Sequence, residues 1–415
     1  MHRLVFGFPF ASVLFLLGCG SSASSPNPTS APVGGGKAPM GNSGGTATAT
    51  DGGSPAGNGM AMAPAGSAGE DASSGGPRPG GGQGVPGGST DAAAPSSSSE
   101  AGSATAIDAM AGLPSPAGEG GATDPGTLGD GDFMISPPYM AGRVAVTNVP
   151  HSTAYAFTMT STMVYPANGP RVVTVYIPKQ YVDGTAAPFI VVQDGNAPAT
   201  GLPEIVTAGE NLYGDPSPTN RIPPLVWVFV PPGSDRSGEY DTVSDAYSRF
   251  IDGEVLPLVE SNAAIKAAYP NFKLTTDPEG RAAYGCSSGA PAAMGMAWFA
   301  DYHRVVSYSG SFVALQKTTA HPAGAWEYPA MILATPAKPL RIFLEVGQDD
   351  NGYTATAASD MNWVIANQNM AAALKMQGYH YRFLFANGAT HCDGSVKSQT
   401  YEETLSWLWR GYPTN

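Results

Sequence analysis

The pentapeptide Gly285-Cys286-Ser287-Ser288-Gly289 fits the G-x-S-x-G elbow, in which small residues let a strand turn sharply into a helix and push a serine hydroxyl clear of a sheet. A serine hydroxyl is a weak nucleophile until a base takes its proton, so the pattern asks for a histidine and for a carboxylate to orient it. Such a set would attack an ester carbonyl, form an acyl-serine and pass the acyl group to water. The pattern alone does not discriminate, because Gly41-Asn42-Ser43-Gly44-Gly45 matches it equally well with no strand or helix pattern on either side. Ser287 has both: Arg281-Ala282-Ala283-Tyr284 reads as a strand and residues 290–300 as a helix, with Pro291 tolerated in its first turn.

Four histidines follow the elbow. His303 falls in a helix-to-strand connection, His321 in a Pro-rich loop and His380 at the start of a strand, all positions that suit structural roles. His391 differs. It lies in the small-residue stretch Asn387-Gly388-Ala389-Thr390-His391-Cys392-Asp393-Gly394 after the last strand pattern, where a base could reach Ser287. The acid is expected after the preceding strand, in Gly347-Gln348-Asp349-Asp350-Asn351-Gly352, and either Asp350 or Asp349 suits. It would fix the imidazole tautomer and stabilise the imidazolium formed during attack. An oxyanion hole needs two amide donors. Ser288 supplies one, and Gln193-Asp194-Gly195-Asn196, at the end of an apolar strand, offers the amide of Gly195 or Asn196 as the second.

The elements that must hold these residues are short β-rich runs separated by Gly, Pro and Asp, alternating with amphipathic stretches. Strands are expected over 154–163, 171–177, 188–193, 225–230, 281–286, 304–309, 340–346 and 379–385. Several, such as Phe189-Ile190-Val191-Val192, are apolar at consecutive positions, as strands buried on both faces are. Ser244 and Asp245 can cap a helix carrying Tyr247, Phe250, Ile251, Val255, Leu258 and Val259, with Pro257 disturbing its last turn. Asp360 can start another, and residues 401–409 suggest a terminal helix. Strands alternating with helices predict an α/β fold with a mostly parallel sheet covered on both faces.

From Ala154 to Trp409 the chain resembles the esterase family of the α/β-hydrolase superfamily that includes enterochelin esterases, esterase D and many secreted bacterial acyl esterases. The resemblance is carried by Val173-Thr174-Val175-Tyr176-Ile177-Pro178, Val192-Gln193-Asp194-Gly195, the stretch Arg236 to Asp241, Asp277-Pro278-Glu279-Gly280-Arg281 and Ser307-Tyr308-Ser309-Gly310-Ser311-Phe312. It implies an α/β-hydrolase fold and a serine esterase acting through Ser287, Asp350 and His391. It favours Asn196 over Gly195 and Asp350 over Asp349. Asp194, Arg236, Glu239 and Tyr240 become candidates for the substrate side, though salt-bridging loop roles suit them equally. No metal or organic cofactor is implied.

The chain departs from the family at Ala290, where relatives carry a second glycine, and in the cysteines beside Ser287 and His391. Cys286 and Cys392 flank the proposed nucleophile and base, which the triad must bring together, and an exported location permits a disulfide between them. The Cys-Ser and His-Cys arrangement also resembles that of tannases and some fungal feruloyl esterases, whose flanking cysteines are bonded. Two reduced thiols packed as small apolar residues are the other possibility.

Composition divides the 415 residues unevenly. Arg3 precedes an apolar run from Leu4 to Leu17, too short for a membrane span and suited to a signal peptide over residues 1–18. Leu16-Leu17-Gly18-Cys19 resembles the bacterial lipobox, which makes Cys19 a lipidation site. Residues 19–132 are rich in Gly, Ser, Ala, Pro and Thr, the composition of a tether without enough apolar surface to fold. The esterase domain is assigned to 133–415, which holds all six Trp. The net charge of −13, with no basic cluster, argues against nucleic acid as a partner. The expected partners are an ester substrate, such as a feruloyl or acetyl polysaccharide ester or a siderophore ester, and a membrane through the lipid anchor alone. The location is that of an exported bacterial lipoprotein facing the periplasm or the cell surface. Acyl transfer to an alcohol by the same residues, or a tethered binding protein without turnover, are the alternatives. Mass spectrometry of the mature N-terminus should find a lipidated Cys19; a free Cys19 or an intact Met1 would refute the anchor.

Overall fold

Runs such as Phe189-Ile190-Val191-Val192 lack the alternation of a half-exposed strand, and in the computed structural model all four are buried on a central sheet. The structure describes residues 126–414 except 143–144, 146–148, 197 and 199–200. The expected signal peptide, Cys19 and almost all of the tether lie outside the described residues. Among those described, no helix is long and apolar enough to cross a membrane.

The strands are β1 (Gly131–Ile135), β2 (Thr153–Thr160), β3 (Pro170–Ile177), β4 (Ala186–Ala187), β5 (Phe189–Gln193), β6 (Val226–Val230), β7 (Lys273–Leu274), β8 (Arg281–Cys286), β9 (Arg304–Tyr308), β10 (Arg341–Asp349) and β11 (His380–Thr390). Nine of them form one sheet in the order β1-β11-β10-β9-β8-β5-β6-β3-β2, while β4 and β7 pair separately. All neighbours in the large sheet are parallel except β3, which is antiparallel to both β2 and β6. This is an α/β-hydrolase fold. Parallel strands need crossovers, and the crossovers put helices on the faces. The helices Ala246–Phe250, Gly289–Phe299 and Trp363–Met376 pack with Val191, Val228, Val305 and Leu344 on one face. Helices Glu204–Tyr213 and Gly394–Leu408 cover Ile190, Trp227, Val306 and Phe343 on the other.

Several boundaries differ from those the sequence suggests, each for a local reason. The folded part begins before residue 133: β1 starts at Gly131 and pairs with β11, and the Asp130 carboxylate accepts from Trp407 Nε1 and pairs with His380. Only tertiary pairing reveals this five-residue edge strand, which emerges from a Gly/Asp-rich stretch. The helix expected to start at Asp360 is capped by Asn362, whose side chain accepts from the Ile365 amide. The terminal helix starts at Gly394, well before residue 401, because Asp393 accepts from the Ser395 and Val396 amides. Pro257 follows a π-helical turn over Ile251–Val255, which relieves the clash that a proline ring imposes on the preceding turn.

The antiparallel edge of the sheet is fastened by a buried ion pair. Arg171 on β3 makes a bidentate contact with Glu239, 2.6 and 2.8 Å, and the two side chains are 1% and 0% exposed. Asn168 Nδ2 and the Gly233 amide also donate to Glu239. Removing the cation strands the carboxylate in the interior, so Arg171→Ala should lower unfolding free energy by about 3–5 kcal/mol in urea titration; a loss under about 1 kcal/mol would mean that the pair is not desolvated as described.

Candidate active site

The strand β8 ends at Cys286 and the helix Gly289–Phe299 begins three residues later, so the chain reverses within the elbow. That turn demands small neighbours: a Cβ on Gly285 would sit 2.0 Å from the carbonyl carbon of Gly289. Ser287 itself has φ +58°, a left-handed conformation that L-residues rarely hold without surrounding restraint. The restraint is visible. Its amide donates to the Tyr308 carbonyl and its carbonyl accepts from the Ser311 amide, both at 3.1 Å. The elbow is thus tied on both sides to the loop that follows β9, the neighbouring strand.

The other two groups come from the next strands along. Between Gly347 and Asp349 the register of β10 against β11 shifts, and Asp350 follows directly. Asp350 is 0% exposed, while Asp349 points to solvent. His391 follows Thr390, the last residue of β11. His391 Nδ1 lies 2.6 Å from Asp350 Oδ1, and Nε2 lies 2.9 Å from Ser287 Oγ. The Asn351 amide also donates to Asp350 Oδ1. A hydroxyl with a basic nitrogen at 2.9 Å, and a buried carboxylate on the far nitrogen, can be deprotonated as it attacks a carbonyl.

Cys286 and Cys392 are joined in a disulfide spanning 106 residues, so the elbow and the histidine turn are covalently linked. The Cys392 amide also donates to Ser309 Oγ. Asp194, Ser287, Ser309 and Cys392 are four of the five described non-glycine residues with left-handed φ. All four occupy segments that meet here, a concentration of backbone strain expected of functional sites.

The second oxyanion donor is expected from the turn after β5, the strand beside β8. The two turns touch, since a Cβ on Gly289 would lie 3.1 Å from Gln193 Cβ and 3.2 Å from Asp194 Oδ2. Asn196 is exposed there. Tyr240 holds this turn from beneath: its buried hydroxyl accepts from the Asp194 amide at 3.0 Å and donates to the Val230 carbonyl at 3.2 Å. Arg236 forms a bidentate pair with Asp194, both groups partly exposed. Asp241 accepts from Ser237 Oγ at 2.5 Å, and burial pushes its carboxyl above its ordinary range.

Two substrate-side candidates are corrected by these contacts. Glu239 is the buried partner of Arg171 and reaches no open surface; Tyr240, 1% exposed, braces the Asp194 turn and cannot touch substrate. Arg236 and Asp194 remain at the rim. The other histidines have structural partners, His303 with Glu279, His321 with Glu327 and His380 with Asp130. Among the described residues no group of three or more His, Cys, Asp or Glu could hold a metal ion.

The family profile described as "Putative esterase" matches residues 166–394, which include every strand that delivers these groups. The chain belongs to this family. It is an ester hydrolase of the α/β-hydrolase class. No curated protein matches the chain. Solved structures similar to the esterase include a ferulic acid esterase, at 16% identity and TM-score 0.44, with 63% of this chain and 99% of that one covered. A ferric enterobactin esterase from Salmonella typhimurium is 20% identical at TM-score 0.46, covering 63% of this chain and 59% of that one. An enterochelin esterase from Shigella flexneri gives 20% identity and TM-score 0.46, with 66% and 62% covered.

Sequence reasoning gave no role to three residues of the esterase that the structure places at the site. Ser309 and Ser311 belong to a string that resembles the family but carries no charge or nucleophile pattern of its own. Glu345, inside an apolar strand, is the third; its side chain is 1% exposed and its Oε1 has no hydrogen-bond partner. Burial, then the neighbouring Asp350 charge, pushes its carboxyl from 4.5 up to about 8. Folded esterase therefore keeps Glu345 protonated where the unfolded chain has lost that proton. Stability must fall as pH rises from the unfolded value toward about 8. Glu345→Gln removes this penalty, so its melting temperature should exceed that of wild type by more at pH 8 than at pH 5.5. A gap that does not change with pH would show that Glu345 is not held neutral.

Proposed function

We propose that the esterase is an extracytoplasmic serine hydrolase of carboxylic esters, with Ser287 as nucleophile, His391 as general base and then acid, and Asp350 as the orienting carboxylate. The observation that carries this reading is the unbroken line of hydrogen bonds from Ser287 Oγ through His391 to the fully buried Asp350. His391 Nε2 takes the proton as Ser287 Oγ bonds to the ester carbonyl carbon. The carbonyl oxygen, now negative, is received by the Ser288 and Asn196 amides. Collapse breaks the bond to the alcohol oxygen, which leaves with the proton from His391. Water then gives a proton to His391 as its oxygen attacks the acyl-serine, and the acid departs as Ser287 regains its proton.

Burial of Asp350 suits its role. Shielded from solvent, the hydrogen-bonded carboxylate attracts the imidazolium formed at each transfer more strongly than a solvated one would. The disulfide holds His391 against the elbow, and reactive geometry of this kind tolerates little misplacement. The signal-like run Leu4 to Leu17 and the lipobox-like Leu16-Leu17-Gly18-Cys19 support action outside the cytoplasm. Acylated polysaccharides carrying feruloyl or acetyl groups, and siderophore esters, are the substrate classes we assign to such a location.

Steady-state hydrolysis of p-nitrophenyl acetate by point variants tests the assignment. Ser287→Ala should lose turnover through the acyl-serine and keep at most the residual rate that binding and the oxyanion donors supply, and Asp350→Asn should lose about a thousandfold or more in kcat through misorientation of His391. Asp349→Asn should stay near wild type. If Asp349→Asn is the damaging change and Asp350→Asn is nearly silent, the acid is wrongly assigned.

A further inference from the structure

Two residues outside the mechanism above reach the reacting hydroxyl. Ser311 Oγ lies 3.4 Å from Ser287 Oγ, and Trp363 Nε1 donates to Ser311 Oγ at 2.9 Å. Ser311 is 1% exposed, and its amide donates to the Ser287 carbonyl, so the main chain fixes its place beside the nucleophile. Trp363 opens the helix Trp363–Met376 behind the Asn362 cap, and its amide is bonded to the Asn351 carbonyl, next to the acid. Its ring meets that of His391 edge-on, with centroids 6.2 Å apart and planes at 87°.

The direction of this line of hydrogen bonds is settled by its two ends. An indole N–H can only donate and an ionised carboxylate can only accept. At one end Trp363 therefore occupies a lone pair of Ser311. At the other, Asp350 draws the His391 proton to Nδ1 and leaves Nε2 as acceptor for the Ser287 proton. Ser287 then has no second proton to give, so Ser311 must be the donor between the two hydroxyls. Every bond points the same way, from Trp363 through Ser311, Ser287 and His391 to Asp350, and bonds aligned in this way polarise and strengthen one another.

We propose that Ser311 and Trp363 are positioning residues for the nucleophile: Ser311 donates to Ser287 Oγ, and Trp363 keeps the Ser311 proton turned that way, committing the Ser287 proton to His391. Without the indole N–H, Ser311 could turn and accept from Ser287. The nucleophile's proton would then be shared with a hydroxyl that cannot carry it off. As Ser287 Oγ gives up its proton and its charge builds, the Ser311 donor is drawn closer, since catalytic hydrogen bonds that are long in the free enzyme tighten in the transition state. No proton leaves Ser311 at any stage. The proposal rests on the serine-hydrolase reading.

The test uses the full chain and reads the acylation rate from the pre-steady-state burst with p-nitrophenyl acetate, alongside KM and thermal melting. Trp363→Phe should slow acylation by about tenfold, the scale of one lost hydrogen bond, with KM changed less than about twofold. Adding Ser311→Ala to Trp363→Phe should not slow it further and should return the rate toward that of Ser311→Ala alone, because the competing acceptor has gone. Multiplicative losses in the double variant would overturn the proposal. Ser311→Ala removes one buried oxygen and decides the matter if Trp363→Phe folds poorly: an acylation rate within about twofold of wild type would overturn it. Failure of the underlying reading looks different, because Ser287→Ala would then keep the wild-type burst.

Discussion

A 2.9 Å hydrogen bond between His391 Nε2 and Ser287 Oγ joins residues 104 positions apart, and the architecture around it is arranged to keep that distance. The bond is worth little unless both partners are held, because a neutral hydrogen bond contributes only about 1 kcal/mol net, less than the entropy of ordering two free loops. Holding is done by the strands. β8, β9, β10 and β11 lie side by side and parallel, so their C-terminal ends open on one edge of the sheet. Each then contributes a turn: the elbow, the Ser309–Ser311 loop, the acid and the histidine. The β9 loop is the least obvious of these and the most connected, bonding to the elbow through Ser311, to the histidine turn through Ser309 and to the helix Trp363–Met376 through Gly310, whose carbonyl accepts from Asn367.

Strain and burial are the costs of this geometry. Left-handed backbone at Asp194, Ser287, Ser309 and Cys392 persists because neighbouring bonds over-determine each turn, and the disulfide adds a covalent restraint to two of the segments. Buried polar groups are handled in two ways. Arg171 and Glu239 satisfy one another in a bidentate pair, whereas burial and the Asp350 charge push the Glu345 carboxyl up to about 8. A neutral Glu345 adds no like charge beside the buried Asp350.

The fold was largely legible because its strands are apolar runs between Gly, Pro and Asp, and hydrophobic periodicity reports burial directly. Ser287 stood out because small residues crowd a turn that has no room for larger ones, and His391 because it follows the last strand pattern in a small-residue stretch. Position offered Asp349 and Asp350 alike, and only Asp350 is buried and bonded to His391. Glu239 and Tyr240 misled because a motif marks proximity without direction: Tyr240 bonds the Asp194 amide from within, Glu239 bonds Arg171, and each faces the interior. Strand β1 and the early start of the terminal helix depend on partners far away in sequence, which local pattern does not encode. Trp363 carries no nucleophile or charge pattern of its own, and its N–H acquires meaning once Ser311 stands opposite.

Covalent acylation of Ser287 is read most directly by rapid-quench mass spectrometry of the full chain mixed with p-nitrophenyl acetate. The expected result is a burst of one p-nitrophenolate per chain, matched by one acetyl group that fragment ions place on Ser287. An acetyl group found elsewhere, or a burst with no acylated protein, would contradict it.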